Sequence, residues 1–132
     1  MKYLLDTNIC IYIIKKKPEK VLKRFSKLNP GDIAVSTITI AELYYGIAKS
    51  SKLNENTVAL QEFLQPLEKL DFNSEDSKVY GKIRTNLEAR GKMIGAMDSL
   101  IASMALSRDL ILVTNNEKEF KRIENLQIEN WV

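Results

Sequence analysis

The first eight residues, MKYLLDTN, hold the tightest constraint on how this chain can fold. A short apolar run, Tyr3-Leu4-Leu5, stops at an acid, Asp6, followed by two small polar residues, Thr7 and Asn8. A continuous apolar run of this length reads as a strand buried on both faces, the kind found in parallel sheets. Ligands of open α/β sheets bind beyond the carboxyl ends of their strands, which is where Asp6 falls. Its position also suits a cap on the following helix, so cap and active-site acid are both open on these residues alone.

The same pattern recurs. Ile33-Ala34-Val35-Ser36 and Leu110-Ile111-Leu112-Val113 are further buried-strand candidates, the second ending at Thr114-Asn115-Asn116. Leu70-Asp71-Phe72 is a short third candidate, and Leu126 to Val132 a possible edge strand. Helical periodicity fills the intervals: Ile9–Ile14, Glu19–Leu28, Thr37 or Thr39 to about Lys49, Val58–Leu70 with a boundary at Pro66, Ser74–Ala89, Met97–Ser107 and Glu117–Arg122. Ser50–Asn56 reads as a polar break, and Gly91 as the residue that closes the helix from Ser74. Helices between successive strands predict an α/β fold, a mostly parallel sheet of four to five short strands flanked by helices in an α/β/α sandwich. Residues 1–132 carry no linker or repeat that would divide them, so one domain is expected.

Composition removes several chemistries. The chain has no histidine, which excludes histidine triads and histidine-based zinc sites. Its one cysteine, Cys10, lies between two isoleucines and reads as core filler. With no possible internal disulfide, no signal peptide and no apolar run of bilayer length, a cytoplasmic protein away from membranes is expected. The net charge of +3 permits nucleic-acid binding without requiring it. Lys20, Lys23, Arg24 and Lys27 face outward on one helix, either as an ordinary solvated surface or as a nucleic-acid-facing one.

Four acids stand where acids are costly. Asp6 follows the first strand and Glu119 lies just past the fourth. Glu42 shares a helical face with Ile38, Ala41 and Tyr45, and Asp98 shares one with Ile101, Ala102 and Ala105. Asp98 also fits a helix-dipole partner, and Glu42 a side chain reaching out at the rim. Asp76, in the first turn of its helix, is accounted for by capping. In a parallel sheet the carboxyl ends of all strands share one edge, so the four acids can converge. Carboxylates gathered together repel, and burial adds to the cost of their charge. Mg²⁺ or Mn²⁺ resolves this with oxygen ligands and water, and such a site suits phosphodiester hydrolysis. Thr7, Asn8, Thr114, Asn115 and Asn116 are then the donors that orient carboxylates or meet a substrate phosphate.

The succession LLDTN, TIAEL, MDSLIAS, LILVTNNEKEF and a terminal NW pair resembles the PIN-domain ribonucleases, most closely the VapC toxins of bacterial toxin–antitoxin pairs. The resemblance covers nearly the whole chain and implies a PIN-like fold. It places metal-binding, catalytic acids at Asp6, Glu42, Asp98 and Glu119; the last is often Asp in the wider family. Many relatives carry His where Met104 stands. The resemblance further implies Mg²⁺- or Mn²⁺-dependent endonucleolytic cleavage of RNA, leaving a 3′-hydroxyl and a 5′-phosphate, with the anticodon loop of initiator tRNA as a favoured substrate. It implies a homodimer and a VapB antitoxin that blocks the site and alone binds operator DNA. Arg90 and Lys92, beside Asp98, and Lys15, Lys16 and Lys17 are candidates for RNA phosphate contacts. Two other readings compete. One is a non-catalytic module of the same fold that binds RNA or protein. The other is an aspartyl-phosphate phosphatase, which wants a second acid two residues after the first, where this chain has Asn8.

Overall fold

The computed structural model describes residues 1–132 and holds five strands, all parallel, in the order β3-β2-β1-β4-β5. The strands are β1 (Tyr3–Leu5), β2 (Ile33–Ser36), β3 (Glu68–Leu70), β4 (Ile111–Val113) and β5 (Ile128–Glu129). The helices are α1 (Thr7–Lys15), α2 (Glu19–Ser26), α3 (Thr37–Ala48), α4 (Leu53–Leu64), α5 (Ser74–Ala89), α6 (Ala96–Ser107) and α7 (Glu117–Phe120).

Period-two alternation divides the core into two layers. Tyr3, Leu5, Ile33, Val35 and Val113 face the layer built with Ile9, Ile13, Val21, Leu43, Leu60, Leu64 and Trp131. Leu4, Ala34 and Leu112 face the other, with Ile83, Leu87, Ile101, Met104 and Phe120. Central strands therefore bury both faces, which is why their sequences read as unbroken apolar runs. Met104 is fully buried in the second layer, so the position holds a packing residue far from any acid–base role.

Three sequence expectations shift. The third strand is Glu68–Leu70, not Leu70–Phe72, pairing Ala34 with Glu68 and Ser36 with Leu70. Pro66 ends the preceding helix by withholding an amide N–H, and the strand starts two residues later. Helix α4 starts at Leu53, inside the stretch read as a polar break; its exposed first turn carries Glu55, favourable at the positive end of the helix dipole. On α3 the buried stripe runs through Thr39 and Leu43 with half-buried Ile40 and Ile47, so Ala41 and Tyr45 point outward. Tyr45 is 65% exposed, and Glu42 borders the buried stripe instead of interrupting it.

Asp76 does what its position predicts, and more. It forms a reciprocal capping box with Asn73, each side chain accepting from the other's backbone N–H at 2.9–3.0 Å. Its fully buried carboxylate also accepts from Arg108 at 2.9 Å, which ties the start of α5 to the end of α6. Burial would raise its pKa, but the hydrogen bonds from Arg108 and Asn73 outweigh it and hold the carboxyl below the ordinary value. Gly91 follows α5 with φ of +64°, the left-handed conformation that a helix-closing glycine takes without strain.

Candidate active site

Strand order reverses at β1. From there the chain crosses to β2 and β3 on one side, and β4 and β5 lie on the other. The crevice between the carboxyl ends of β1 and β4 is therefore the topological switch point, where open α/β sheets bind ligands. Asp6 and Thr114 are the first residues beyond those two ends. The Asp6 N–H donates to the Val113 carbonyl at 2.9 Å, extending the β1–β4 ladder to the edge of the crevice.

Asp6 is 5% exposed and both its carboxylate oxygens are engaged. Oδ1 accepts from the Thr7 N–H at 2.8 Å, so Asp6 does cap α1; Oδ2 accepts from the Thr114 hydroxyl at 2.8 Å. The cap and the crevice acid are one residue. Burial raises its pKa against the lowering pull of those two hydrogen bonds, and Glu42 raises it further. The Thr114 hydroxyl in turn accepts from the Asn116 N–H at 2.9 Å, which shapes the turn leading to α7.

Glu42 reaches the same place from α3. Its Oε1 accepts from the Thr7 hydroxyl at 2.6 Å, and that hydroxyl lies 3.3 Å from the hydroxyl of Thr39. Glu119, on α7, accepts from the Asn116 side-chain amide at 3.1 Å. Asp98 sits in the first turn of α6, after the N-cap Gly95, where the helix dipole favours its charge, and its carboxylate accepts no hydrogen bond. Its pKa is pushed up to about 6 by burial first, and then by Asp6, Glu119 and Glu42 in that order.

The remaining candidates separate. Thr7, Thr114 and Asn116 touch the acids directly. Asn115 does not: its amide donates to the Tyr12 hydroxyl at 3.3 Å, and its carbonyl oxygen accepts from Asn130 at 3.3 Å. Asn8 is exposed and makes no hydrogen bond to the acids. Lys16 and Lys17 are exposed at the far end of α1, about 13 Å along the helix axis from Thr7, whereas Lys15 lines a groove together with Glu42. Arg90 is engaged by the Asn86 side chain at 3.0 Å and by the Arg122 carbonyl, whereas Lys92 is exposed. Cys10 is buried and its thiol is pushed well up by burial and by Asp6, so it is packing material.

Three residues around the crevice were not legible as site residues. Thr39 is fully buried one turn before Glu42, the only signal being its i−3 spacing. Tyr12 and Asn130 anchor the turn after β4 through Asn115, and Asn130 also reaches Glu117 at 3.2 Å.

The donor set suits a hard divalent cation. All the groups are oxygens, two of the acids have raised pKa values from crowding and burial, and a cation would relieve both. No three carboxylates are drawn together as a ready-made cage.

The molecule so far is an α/β protein with an acidic, all-oxygen crevice at the switch point of a parallel sheet. Residues 3–126 match the PIN domain family. Ribonuclease VapC2 of Rickettsia felis is 48% identical over 132 residues, covering 99% of this chain and 98% of that one. The tRNA(fMet)-specific endonuclease VapC of Shigella flexneri is 41% identical over 131 residues, with 99% and 98% coverage. The DNA-bound VapBC of Salmonella typhimurium superposes with a TM-score of 0.94 at 42% identity, covering 100% of this chain and 99% of that one. The chain belongs to the PIN-domain family and, within it, to the VapC ribonucleases. No helix is long and apolar enough to cross a membrane.

Proposed function

We propose that this protein is the toxin of a type II toxin–antitoxin pair, an endoribonuclease that hydrolyses RNA phosphodiester bonds with Mg²⁺ or Mn²⁺ held by Asp6 and Asp98, assisted by Glu42 and Glu119. The observation that carries the reading is the meeting of two carboxylates on one residue at the sheet's switch point, the Thr7 N–H donating to Asp6 at 2.8 Å and the Thr7 hydroxyl to Glu42 at 2.6 Å; burial and the neighbouring acids push Asp98 up to about 6 beside them. When bound, the cation supplies an acidified water as nucleophile and offsets charge on the phosphate.

The chain's own residues set the geometry. Thr114 and the Thr7 N–H hold the Asp6 carboxylate in one orientation, the Thr7 hydroxyl holds Glu42, and Asn116 holds Glu119. Three of the four acids, at the end of β1 and on α3 and α7, are thereby oriented on rigid elements before substrate arrives, which is the preorganisation that electrostatic catalysis needs, while the Asp98 carboxylate on α6 accepts no hydrogen bond. Initiator tRNA is the substrate we favour, on the strength of the relatives named as tRNA(fMet)-specific endonucleases.

A VapB antitoxin is the partner, supported by the solved VapBC assemblies that share this fold, two of them bound to DNA. A groove of about 320 Å³ between α1, α3 and α4, lined by Ile11, Ile14, Leu43, Ile47 and Leu60, opens beside Glu42. An apolar antitoxin segment seated there would end at the acids, blocking the site. Operator DNA is then met by the antitoxin, and the toxin acts as a homodimer.

The test is cleavage of total tRNA and mRNA by purified, antitoxin-free protein with Mg²⁺ or Mn²⁺, with EDTA, and with Asp6→Asn. Discrete cation-dependent fragments that vanish in the variant are expected, the largest from initiator tRNA. Intact RNA with either cation, from folded protein, would refute the nuclease.

A further inference from the structure

Charge in this protein is unevenly placed. Residues 15–27, KKKPEKVLKRFSK, carry seven cations against one acid. That is a net +6 in a chain whose total is +3, so everything else sums to −3. The cations run from the end of α1 onto α2, where they line one side of a groove of about 610 Å³ closed on its other side by Glu129, Asn130 and Trp131.

The groove's two acids are already matched. Glu129 is held by Arg24 at 2.9 Å, and Glu19 lies 3.6 Å from Lys23. Arg24 is further fixed against the Trp131 ring and the Tyr3 hydroxyl, which makes it part of the wall. Lys20 and Lys27 are exposed and paired with no acid side chain, Lys20 reaching only the Val132 carbonyl at 3.5 Å, and one lining residue is apolar. An open groove with cationic side chains along one wall and a single aromatic ring on the other suits a phosphate backbone better than an apolar peptide.

Its position supplies the second argument. Asn130, in the groove wall, bonds to Asn115 and Glu117, and Asn115 bonds to Tyr12. The wall is thus joined through two side-chain bonds to the turn that carries Thr114 and Asn116. An RNA strand lying on α2 and leaving along Asn130 arrives at the acid crevice, which repels phosphates unless a cation is present.

We propose that the α2 groove, through Lys20, Lys23 and Lys27, is the track that binds the sugar–phosphate backbone of RNA flanking the cleaved bond. The inference rests on the ribonuclease reading above. It assigns affinity and register to α2 and leaves the chemistry to the acids.

Lys20→Gln/Lys27→Gln tests it, with Lys78→Gln/Lys82→Gln on α5 as an equal loss of charge elsewhere. Both are built on Asp6→Asn so that labelled tRNA is bound but not cut, and Kd is followed by fluorescence anisotropy across a salt series with Mg²⁺. The α2 variant is expected to bind roughly 3–10-fold more weakly and to lower the slope of log Kd against log salt by about 1.5, as loss of two phosphate contacts requires. The α5 variant is expected to follow the parent. Unchanged affinity and slope in the α2 variant, or the same change in both, would overturn the track. So would an α2 variant that binds RNA normally but no longer binds the antitoxin, which would make the groove a protein-docking surface. Binding is read apart from cleavage, so a protein that binds RNA on α2 but cuts none refutes the nuclease alone.

Discussion

Replacing Asp98 with asparagine should make the metal-free protein more stable while removing its activity. The side chain keeps its volume and loses only a charge that burial, Asp6, Glu119 and Glu42 all oppose. Moving a carboxyl from 3.8 to about 6 corresponds to an upper bound of about 3 kcal/mol at 1.36 kcal/mol per pKa unit. Asp98 is only half-buried, and screening by solvent reduces this to about 1–2 kcal/mol. For a chain of this length that is a rise in Tm of about 4–8 °C. The sign with pH follows from the direction of the shift. Below about pH 4 the carboxyl is neutral in both states and the variant gains nothing. Between about pH 4 and 6 the folded wild type holds a proton the unfolded chain has lost, so its stability falls as pH rises and the gap to the variant opens. Above about pH 6 the gap is constant. Calorimetry in EDTA from pH 4 to 8 measures this, and added Mg²⁺ should raise the wild-type Tm while moving the variant much less. A variant that melts at or below wild type in EDTA at pH 7.5 would refute the reasoning that burial and the neighbouring acids oppose the charge on Asp98.

Other residues give sharper local tests. Thr114→Val removes the hydroxyl donor to Asp6 and the acceptor for the Asn116 N–H, and should lower cleavage by about 10–100-fold, with Thr114→Ser restoring most of it. Thr7→Val frees the Glu42 carboxylate and should weaken the Mg²⁺ dependence of cleavage, read as a higher cation concentration at half-maximal rate. Asp76→Ala leaves Arg108 and the Asn73 N–H without their partner and should cost about 3–5 kcal/mol by urea unfolding. Because the Asp76 pKa is depressed, its contribution is complete above about pH 4 and is lost as pH falls through its lower folded value, so the difference from wild type should narrow in acid. Cys10→Ala should leave cleavage intact, since the thiol only fills the core.

The sequence was most informative where burial is two-sided. Tyr3–Leu5, Ile33–Ser36 and Ile111–Val113 announce themselves because both faces of a central parallel strand must be apolar, and the polar residues that end them mark the crevice. It was least informative at the edge, where Glu68 and Lys69 sit in β3 with only Leu70 buried and no pattern separates strand from loop. The outward turn of Tyr45 was hidden for a related reason: an aromatic counts toward an apolar face whether or not a neighbour covers it. Asp6 looked like a choice between cap and catalyst because a linear reading cannot show that one oxygen serves α1 and the other Thr114. Tyr12 and Asn130 escaped notice because their bond to Asn115 joins three distant parts of the chain, and no local spacing records it.

The placement of β1 beside β4 also sets a clock. Asp6 waits for Thr114 and Glu119, the latter 113 positions further on, and ribosomes add about 5–20 residues per second. For roughly 5–20 s the growing chain carries its first acid with no partner strand on that side and no crevice. The edge that gathers the acids is therefore complete only when the last strands close.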